Sequence, residues 1–592
     1  MPEEIPQVAL HTADHVVIVA YLVGVTAIGW YFRKFAGKDL ANYFLAGRRL
    51  PGWLNGVSNA VTCVNADVAP AYCGMTVITG LAICWWYISR FGMSLMIAAV
   101  LFAVFWRRLN VFTSPEFYEM RFSGASAITM RMLVSFRGAF FGVVIWIGAG
   151  LLGMAKVCEA VVGWERWETF AITVPVMLFY VFLSGYVGVV MNDLLQTLVI
   201  LVSSLILMGL VWADFGGPAG LHAALLGQFG PAVVNWHPPA QHEMLGVLGL
   251  VAWTVGSSVG YGGDLGTESQ RLLSCRNTRE ASRMYVWTQI VLFALLAVLS
   301  LPALGAMVRW PGLHDGTINK ELAYGMLLGH YLPPGLLGLA LVALFASVMS
   351  TVDAHMSFAG QVFVNDVYRR VLNPSASPAA CMIAGKATMC VIMGLAIVVA
   401  TVAKNVIDIS VFMLGFTASE MTANWGQWWW WRFNGKARIA ASLGGPFIFL
   451  FNQFVVFKLW IHVGPSADYV VVLSSMALTC LLWVVVALVT RPDPEETLVE
   501  FYRRSRPPGW WGPIARRAGA KETGGNVILR GLLVATLGMT AVAAGTIAFS
   551  CVYVARWDAA AVAAGLCLVV GLLFRRTYRA FLTSTGVQES EV

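Results

Sequence analysis

A chain of 592 residues that is 58% hydrophobic and only 12% charged falls outside the soluble globular class, where charged residues make up roughly 25%. Its formal net charge of +8 is held in short loops between apolar runs, which makes it a topology signal and excludes a nucleic-acid surface. No stretch of useful size is free of such runs, so a separate soluble catalytic domain is not expected.

A crossing helix needs about 20 apolar residues. Such runs are predicted near 15–34, 52–78, 80–106, 131–160, 167–186, 191–213 and 243–265. Others follow near 283–308, 335–368, 379–403, 406–431, 438–461, 467–490, 528–553 and 557–575. The first run, Val16 to Phe32, has no basic region before it and no small-residue cleavage site after it, so it reads as a retained span. Loops between runs alternate in Lys and Arg. Rich ones run from Arg33 to Arg49, Arg107 to Arg131, Arg271 to Arg283, Arg369 to Lys386, Arg432 to Arg438, Arg491 to Arg530 and Arg575 to Arg579. The gaps between hold isolated cations such as Arg166, Arg309 and Arg556. Cytoplasmic loops collect Lys and Arg, so the pattern predicts an all-α polytopic protein of about fifteen spans in the cell (inner) membrane. Its N-terminus is expected outside and its C-terminus in the cytoplasm.

The outer loop from Asp214 to Glu243 carries no Lys or Arg and is expected to hold a short surface helix. The inner stretch 491–527, with Pro492, Pro494, Pro507, Pro508 and Gly509, reads as a linker. Trp428 to Trp431, before Arg432, reads as an inner-interface anchor. The ten cysteines lie mostly in apolar runs without metal-ligand spacing, and no disulfide framework is expected.

Two runs are interrupted. The second contains Val61-Thr-Cys-Val-Asn-Ala-Asp-Val-Ala-Pro70, and the seventh contains Val255-Gly-Ser-Ser-Val-Gly-Tyr-Gly-Gly-Asp-Leu-Gly266. Proline removes a backbone donor and glycine lowers helix propensity, so both should unwind. Unwound backbone at that depth survives only where protein buries it or where it lines a cavity. The breaks stand five spans apart, in matching positions of two halves, which points to an inverted-repeat transporter.

Several motifs resemble the sodium:solute symporter family, which includes sodium-coupled sugar, proline and sialic acid transporters. They are Asn42-Tyr-Phe-Leu-Ala-Gly-Arg-Arg-Leu-Pro-Gly-Trp53, Ser114-Pro-Glu-Phe-Tyr-Glu-Met-Arg-Phe122, Ser184-Gly-Tyr-Val-Gly-Val-Val-Met-Asn-Asp-Leu-Leu-Gln196 and Ala346-Ser-Val-Met-Ser-Thr351 running on to Asn365-Asp-Val-Tyr368. The resemblance implies a LeuT-like 5+5 inverted-repeat core over 51–432. Residues 1–50 supply an extra helix and inner loop, and 433–592 supply accessory helices.

The resemblance also implies a sodium site made of the Val61 and Val64 carbonyls with Ser347, Ser350 and Thr351. Asp193 matches a position that some relatives use for an additional sodium. Asp353 lies one turn from Ser350 on the same face. Asp193, Ser350 and Asp353 therefore form either a second cation or proton site, or a structural pairing with a nearby arginine. His355 points to another face, as a satisfied core histidine or a proton-coupling group. For the solute the implied positions are Asp67, Tyr87, Ser258 and Tyr261, with Tyr261 closing the inner side. Asp67 binds an amine or hydroxyls of the solute, or caps the broken helix. Relatives that carry sugar have an acid at the position of Tyr87 and an amide at that of Ser258. Asp264 and Glu268 pair with Arg271 or gate the exit, Trp85 and Trp86 stack a ring or sit in the interfacial belt, and Arg90 and Lys156 anchor near the outer surface or bind an anion.

These readings converge on a sodium-coupled symporter for a small sugar-, amino-acid- or amine-like solute. Sodium is the expected ion, the bilayer and the solute are the expected partners, and a monomer is expected. Proton coupling, a transporter-like sensor and, last, an intramembrane enzyme are the alternatives. The spans hold no nucleophile motif or paired histidine ligands.

Overall fold

The computed structural model describes residues 10–36, 40–183, 186–237, 246–259, 261–403, 406–461, 468–520 and 524–587. Among them there is no β-strand beyond two isolated bridges. Gly260, inside the second predicted break, lies outside the described residues.

The chain begins with helix α1 (Thr12–Ala36) and continues through α2 (Gly52–Cys63), α3 (Val68–Thr79), α4 (Cys84–Phe91) and α5 (Ser94–Leu101). Next come α6 (Gly124–Phe136), α7 (Val143–Val162), α8 (Arg166–Leu183) and α9 (Tyr186–Phe215). The second half holds α10 (Val247–Ser258), α11 (Ser269–Ser274), α12 (Thr278–Ser300), α13 (Leu336–Val362), α14 (Pro378–Val402) and α15 (Val406–Trp429). Four more helices, α16 (Gly435–Phe451), α17 (Asp468–Val489), α18 (Gly525–Tyr553) and α19 (Trp557–Ser584), close the chain.

Apolar residues all round a helix serve either a protein core or lipid contact, and burial separates the two. The apolar windows of Val68–Leu101, Thr278–Arg309 and Leu336–Leu372 are 83% buried, whereas those of Thr12–Phe32 and Trp557–Ser584 are 11% buried. The helices after the first break, with α12 and α13, therefore sit at the centre, and α1 and α19 present apolar side chains to lipid.

Among the described residues, eleven stretches are long and apolar enough to cross a membrane, against the fifteen predicted. Part of the shortfall has a physical cause. A 12-residue helix spans about 18 Å, and both α2 and α10 have 12 residues, too short for a core of about 30 Å.

Both breaks are present. Val64 leaves the helical region (φ −100°, ψ 70°) and its N–H bonds the Val61 carbonyl at 3.0 Å. The helix restarts at Val68, so Pro70 falls in the first turn of α3, where a missing N–H costs no helical bond. Helix α7 lies directly against this break. A Cβ at Gly153 would fall 2.5 Å from the Asp67 backbone. The second break runs from Tyr261 to Glu268, with Gly262 at φ +87° and a Cβ there 2.8 Å from that of Ala98.

The expected outer helix forms at Pro218–Phe229. The stretch 491–527 is not a simple linker. It carries helices at Glu495–Ser505 and Gly512–Arg517, and Trp511 is completely buried, its indole donating to the Trp428 carbonyl at 2.7 Å. Trp428 is likewise no interface anchor, because it too is completely buried.

Gly153→Ala should destabilise the protein by roughly 1–3 kcal/mol through overpacking against the break. Gly565→Ala, where a Cβ meets nothing within 4 Å, should be neutral or stabilising. Thermal melting of the two purified variants checks the contrast.

Candidate functional site

Unwinding leaves peptide groups to be satisfied. In the first break the Asn65 Oδ1 accepts from the Ala66 N–H at 2.9 Å, and its Nδ2 donates to the Trp146 carbonyl on α7 at 3.0 Å. In the second, the Gly262 carbonyl accepts from the Trp106 indole at 2.7 Å. The Gly263 carbonyl accepts from both Trp428 (2.7 Å) and Gln427 (2.9 Å), and the Leu265 carbonyl from Ser114 at 2.8 Å. These carbonyls are therefore held by protein donors.

Between the breaks lies a cavity of about 350 Å³. Asp67, Tyr261, Arg90, Glu268, His355 and Thr351 are among the residues that line it. Asp67 is 5% exposed and its Oδ1 has no hydrogen-bond partner. Nor does its side chain cap α3, although capping was the alternative reading. Arg90 is close enough to act on Asp67 electrostatically and lies beside the Tyr72 hydroxyl. His355 Nδ1 sits 2.8 Å from the Thr351 carbonyl, a bond that places its proton on Nδ1.

Two of the expected solute residues are turned elsewhere. Tyr87 is completely buried, hydrogen-bonded to Ser300 and stacked on Tyr72 at 5.6 Å. Ser258 donates to the Thr254 carbonyl at 2.5 Å and accepts from the Met93 N–H at 3.1 Å, so its hydroxyl ties α10 to the start of α5. Its neighbour Ser257 faces the cavity instead. One residue of helix is about 100° of rotation, enough to exchange the two.

A cluster of hydroxyls adjoins the cavity where α2 meets α13. Thr62 and Ser350 hydroxyls are 3.2 Å apart, and Thr351 Oγ1 donates to the Thr62 carbonyl at 3.2 Å and to the Ser347 carbonyl at 3.1 Å. Ser347 Oγ bonds back to Leu344 at 3.0 Å. Val61 and Val64 are fully buried beside them.

Asp193 takes the arginine pairing. Its Oδ1 accepts from Ser350 at 2.7 Å, and its Oδ2 from Ser58 and from Arg271 at 3.2 Å. The same guanidinium donates to Ser58 at 2.8 Å and Thr62 at 2.6 Å. The arginine pairing, one of the two readings of this carboxylate, is thus formed by Arg271. Asp353 is buried on α13, and Tyr21 of α1 lies within electrostatic range of both carboxylates.

Asp264 does not pair with Arg271. It accepts from Tyr118 at 2.8 Å and from Arg438 at 3.4 Å, and Arg438 also pairs with Glu420 at 3.2 Å. Lys156 is buried in an ion pair with Glu321. Trp85 donates to the Trp236 carbonyl at 2.7 Å and stacks on its ring, away from the cavity. Arg90, read from the sequence as an outer anchor or an anion ligand, lines the cavity. Its signal was a charge inside a predicted span, interrupted by Gly92 two residues later.

A model of the sodium:solute symporter family matches residues 43–434. The chain belongs to that family. Its relatives include sodium/glucose cotransporter 4 of Danio rerio, 24% identical over 576 residues that cover 86% of this chain and 83% of that protein. Sodium/myo-inositol cotransporter 2 of Oryctolagus cuniculus is 24% identical over 410 residues, covering 64% and 60%. The chain spans 60% of the length of that relative and of the Rattus norvegicus sodium/glucose cotransporter 2. A substrate-bound, outward-open Na+-coupled sialic acid symporter shares the fold, with TM-score 0.67 at 16% identity over 82% of this chain and 99% of that one. Membership makes this a multi-pass membrane protein from a family of transporters.

Removing one partner of a buried ion pair strands the other charge, at a cost of about 3–5 kcal/mol. Arg271→Met should show that loss in thermal melting, and Arg271→Met combined with Asp193→Leu should recover most of it.

Proposed function

We propose that the protein is a sodium-driven symporter that carries a small polar organic solute by alternating access. The observation that carries this reading is the adjacency of two chemically different sites on one broken helix. On one side, Asp67 presents a buried oxygen without a hydrogen-bond partner to the cavity. On the other, Thr62 reaches the Ser350 and Thr351 hydroxyls of α13.

The oxygen donors suit sodium, which is cargo here. It needs several hard oxygen ligands, and carbonyls of a broken helix with neighbouring hydroxyls supply them. The Val61 and Val64 carbonyls with Ser347, Ser350 and Thr351 would hold it. Filling that site would tie α13 to the helix carrying Asp67, so that sodium organises the solute cavity. A second sodium at Asp193 is disfavoured, because Arg271 already neutralises that carboxylate. The solute is read as one offering a hydrogen-bond donor, as an amine or hydroxyl, to Asp67.

The chain is taken to cross fifteen times, the two broken helices crossing as paired halves in a 5+5 core over 51–432, with the N-terminus outside. In that orientation the cavity residues Gly138, Gly142 and Phe358 lie on the cytoplasmic side of the first break, consistent with an arrangement accessible from inside.

In proteoliposomes, a sodium gradient should drive uptake of at least one solute from a panel of sugars, amino acids, nucleosides and amines. Thr351→Val and Ser350→Ala should each lower that uptake about tenfold, the factor for losing one ligand worth roughly 1.4 kcal/mol. Asp67→Asn should lower it while leaving the protection by sodium chloride, against choline chloride, in thermal melting. Equal uptake with sodium or choline outside would reject the coupling.

A further inference from the structure

The hollow between the core and the last two helices serves none of the roles above. It is a second cavity, of about 520 Å³, walled by α12, α18 and α19. Gly538, Ala541 and Gly545 of α18 and Gly571 of α19 leave the space, and Ile290 and Ala294 of α12 form its back. Ile290 is 44% exposed there. From Val286 to Val298 the lining stretch of α12 extends about 18 Å. That is close to the half-thickness of a bilayer core about 30 Å across. The hollow therefore has the length of one leaflet and walls suited to hydrocarbon.

Its inner end is charged. The Ser282 and Tyr578 hydroxyls, 2.5 Å apart, join α12 to α19, and Phe574 stacks on Tyr578 at 5.2 Å. Around Tyr578 gather Arg279 and Arg283 of α12, with Arg579 within electrostatic range of Arg279. Arg276 follows one turn below, and α19 adds Arg575 and Arg576. Among the described residues the ion pairs of this cluster all go to Glu280, which takes Arg276 at 3.4 Å and Arg283 at 3.3 Å. Glu280 is also engaged by the Gly52 N–H at 2.6 Å. Positive charge at inner helix ends is the ordinary topology signal, but that signal needs no apolar groove leading up from it. An apolar groove one leaflet long that ends in a cluster of guanidinium groups with one carboxylate between them is complementary to a lipid with an anionic head.

We propose that the groove between α12, α18 and α19 binds an anionic phospholipid of the inner leaflet, its acyl chain in the hollow and its phosphate among Arg279, Arg283 and Arg579. This site is separate from the sodium and solute positions and rests only on the orientation proposed above.

The full chain, purified in mild detergent and incubated with phosphatidylglycerol, phosphatidylcholine or glycerol phosphate, is examined by native mass spectrometry and thermal melting. Phosphatidylglycerol should be retained and should raise the melting temperature. Arg279→Gln with Arg579→Gln should weaken retention by about five-fold for each arginine, the factor for roughly 1 kcal/mol per surface cation. Gly545→Leu, which fills the hollow and leaves the arginines in place, should also reduce it. Equal retention of phosphatidylcholine, undiminished binding in the double variant, or equal protection by glycerol phosphate would each overturn the proposal.

Discussion

Peptide groups set free inside a membrane must find partners within the protein, since an unsatisfied one in hydrocarbon costs several kcal/mol. This chain frees them twice, and the rest of its architecture follows from where the partners stand. The second break is held by indole and amide donors, with Trp106, Trp428 and Gln427 reaching its glycine carbonyls. The first relies on Asn65 and on the closeness of α7, which has glycine where a side chain would strike the break. Consequently the unwound stretches themselves are packed against protein, although α10 keeps an exposed apolar face at Val247, Val251 and Val255.

Charge is handled by the same rule. A charge in hydrocarbon is costly unless paired, and the buried cations of the core have partners. Arg271 meets Asp193, Arg438 meets Glu420 and Asp264, Lys156 meets Glu321, and Arg131 meets Asp366. These pairs lock α9, α11, α15 and α16 around the breaks. Asp67 lines the cavity, and its Oδ1 has no hydrogen-bond partner.

Much of this was legible along the chain. Apolar runs predicted the helical class, and the clusters around Pro70 and Gly262 predicted both breaks. Asp67 and Tyr261 were singled out and do line the cavity. Less legible were features that depend on helix rotation. Ser257 and Ser258 are adjacent in sequence, but the first faces the cavity and the second bonds Thr254 and Met93. Tyr87 sits in a helix that passes the cavity yet is turned to Ser300. Stretch 491–527 read as a linker from its prolines, because nothing local reveals that Trp511 will be buried against Trp428.

The sequence by itself determined that this chain is helical and spans a membrane, where its spans break, and which motifs tie it to its family. Those properties depend on composition and on local backbone chemistry, which neighbouring residues decide among themselves. Only the tertiary structure decided that Arg271 meets Asp193, that tryptophans clamp the second break, and that Arg90 joins the cavity. Each of those needs residues from distant segments to face one another, and helix facing changes by about 100° with every residue.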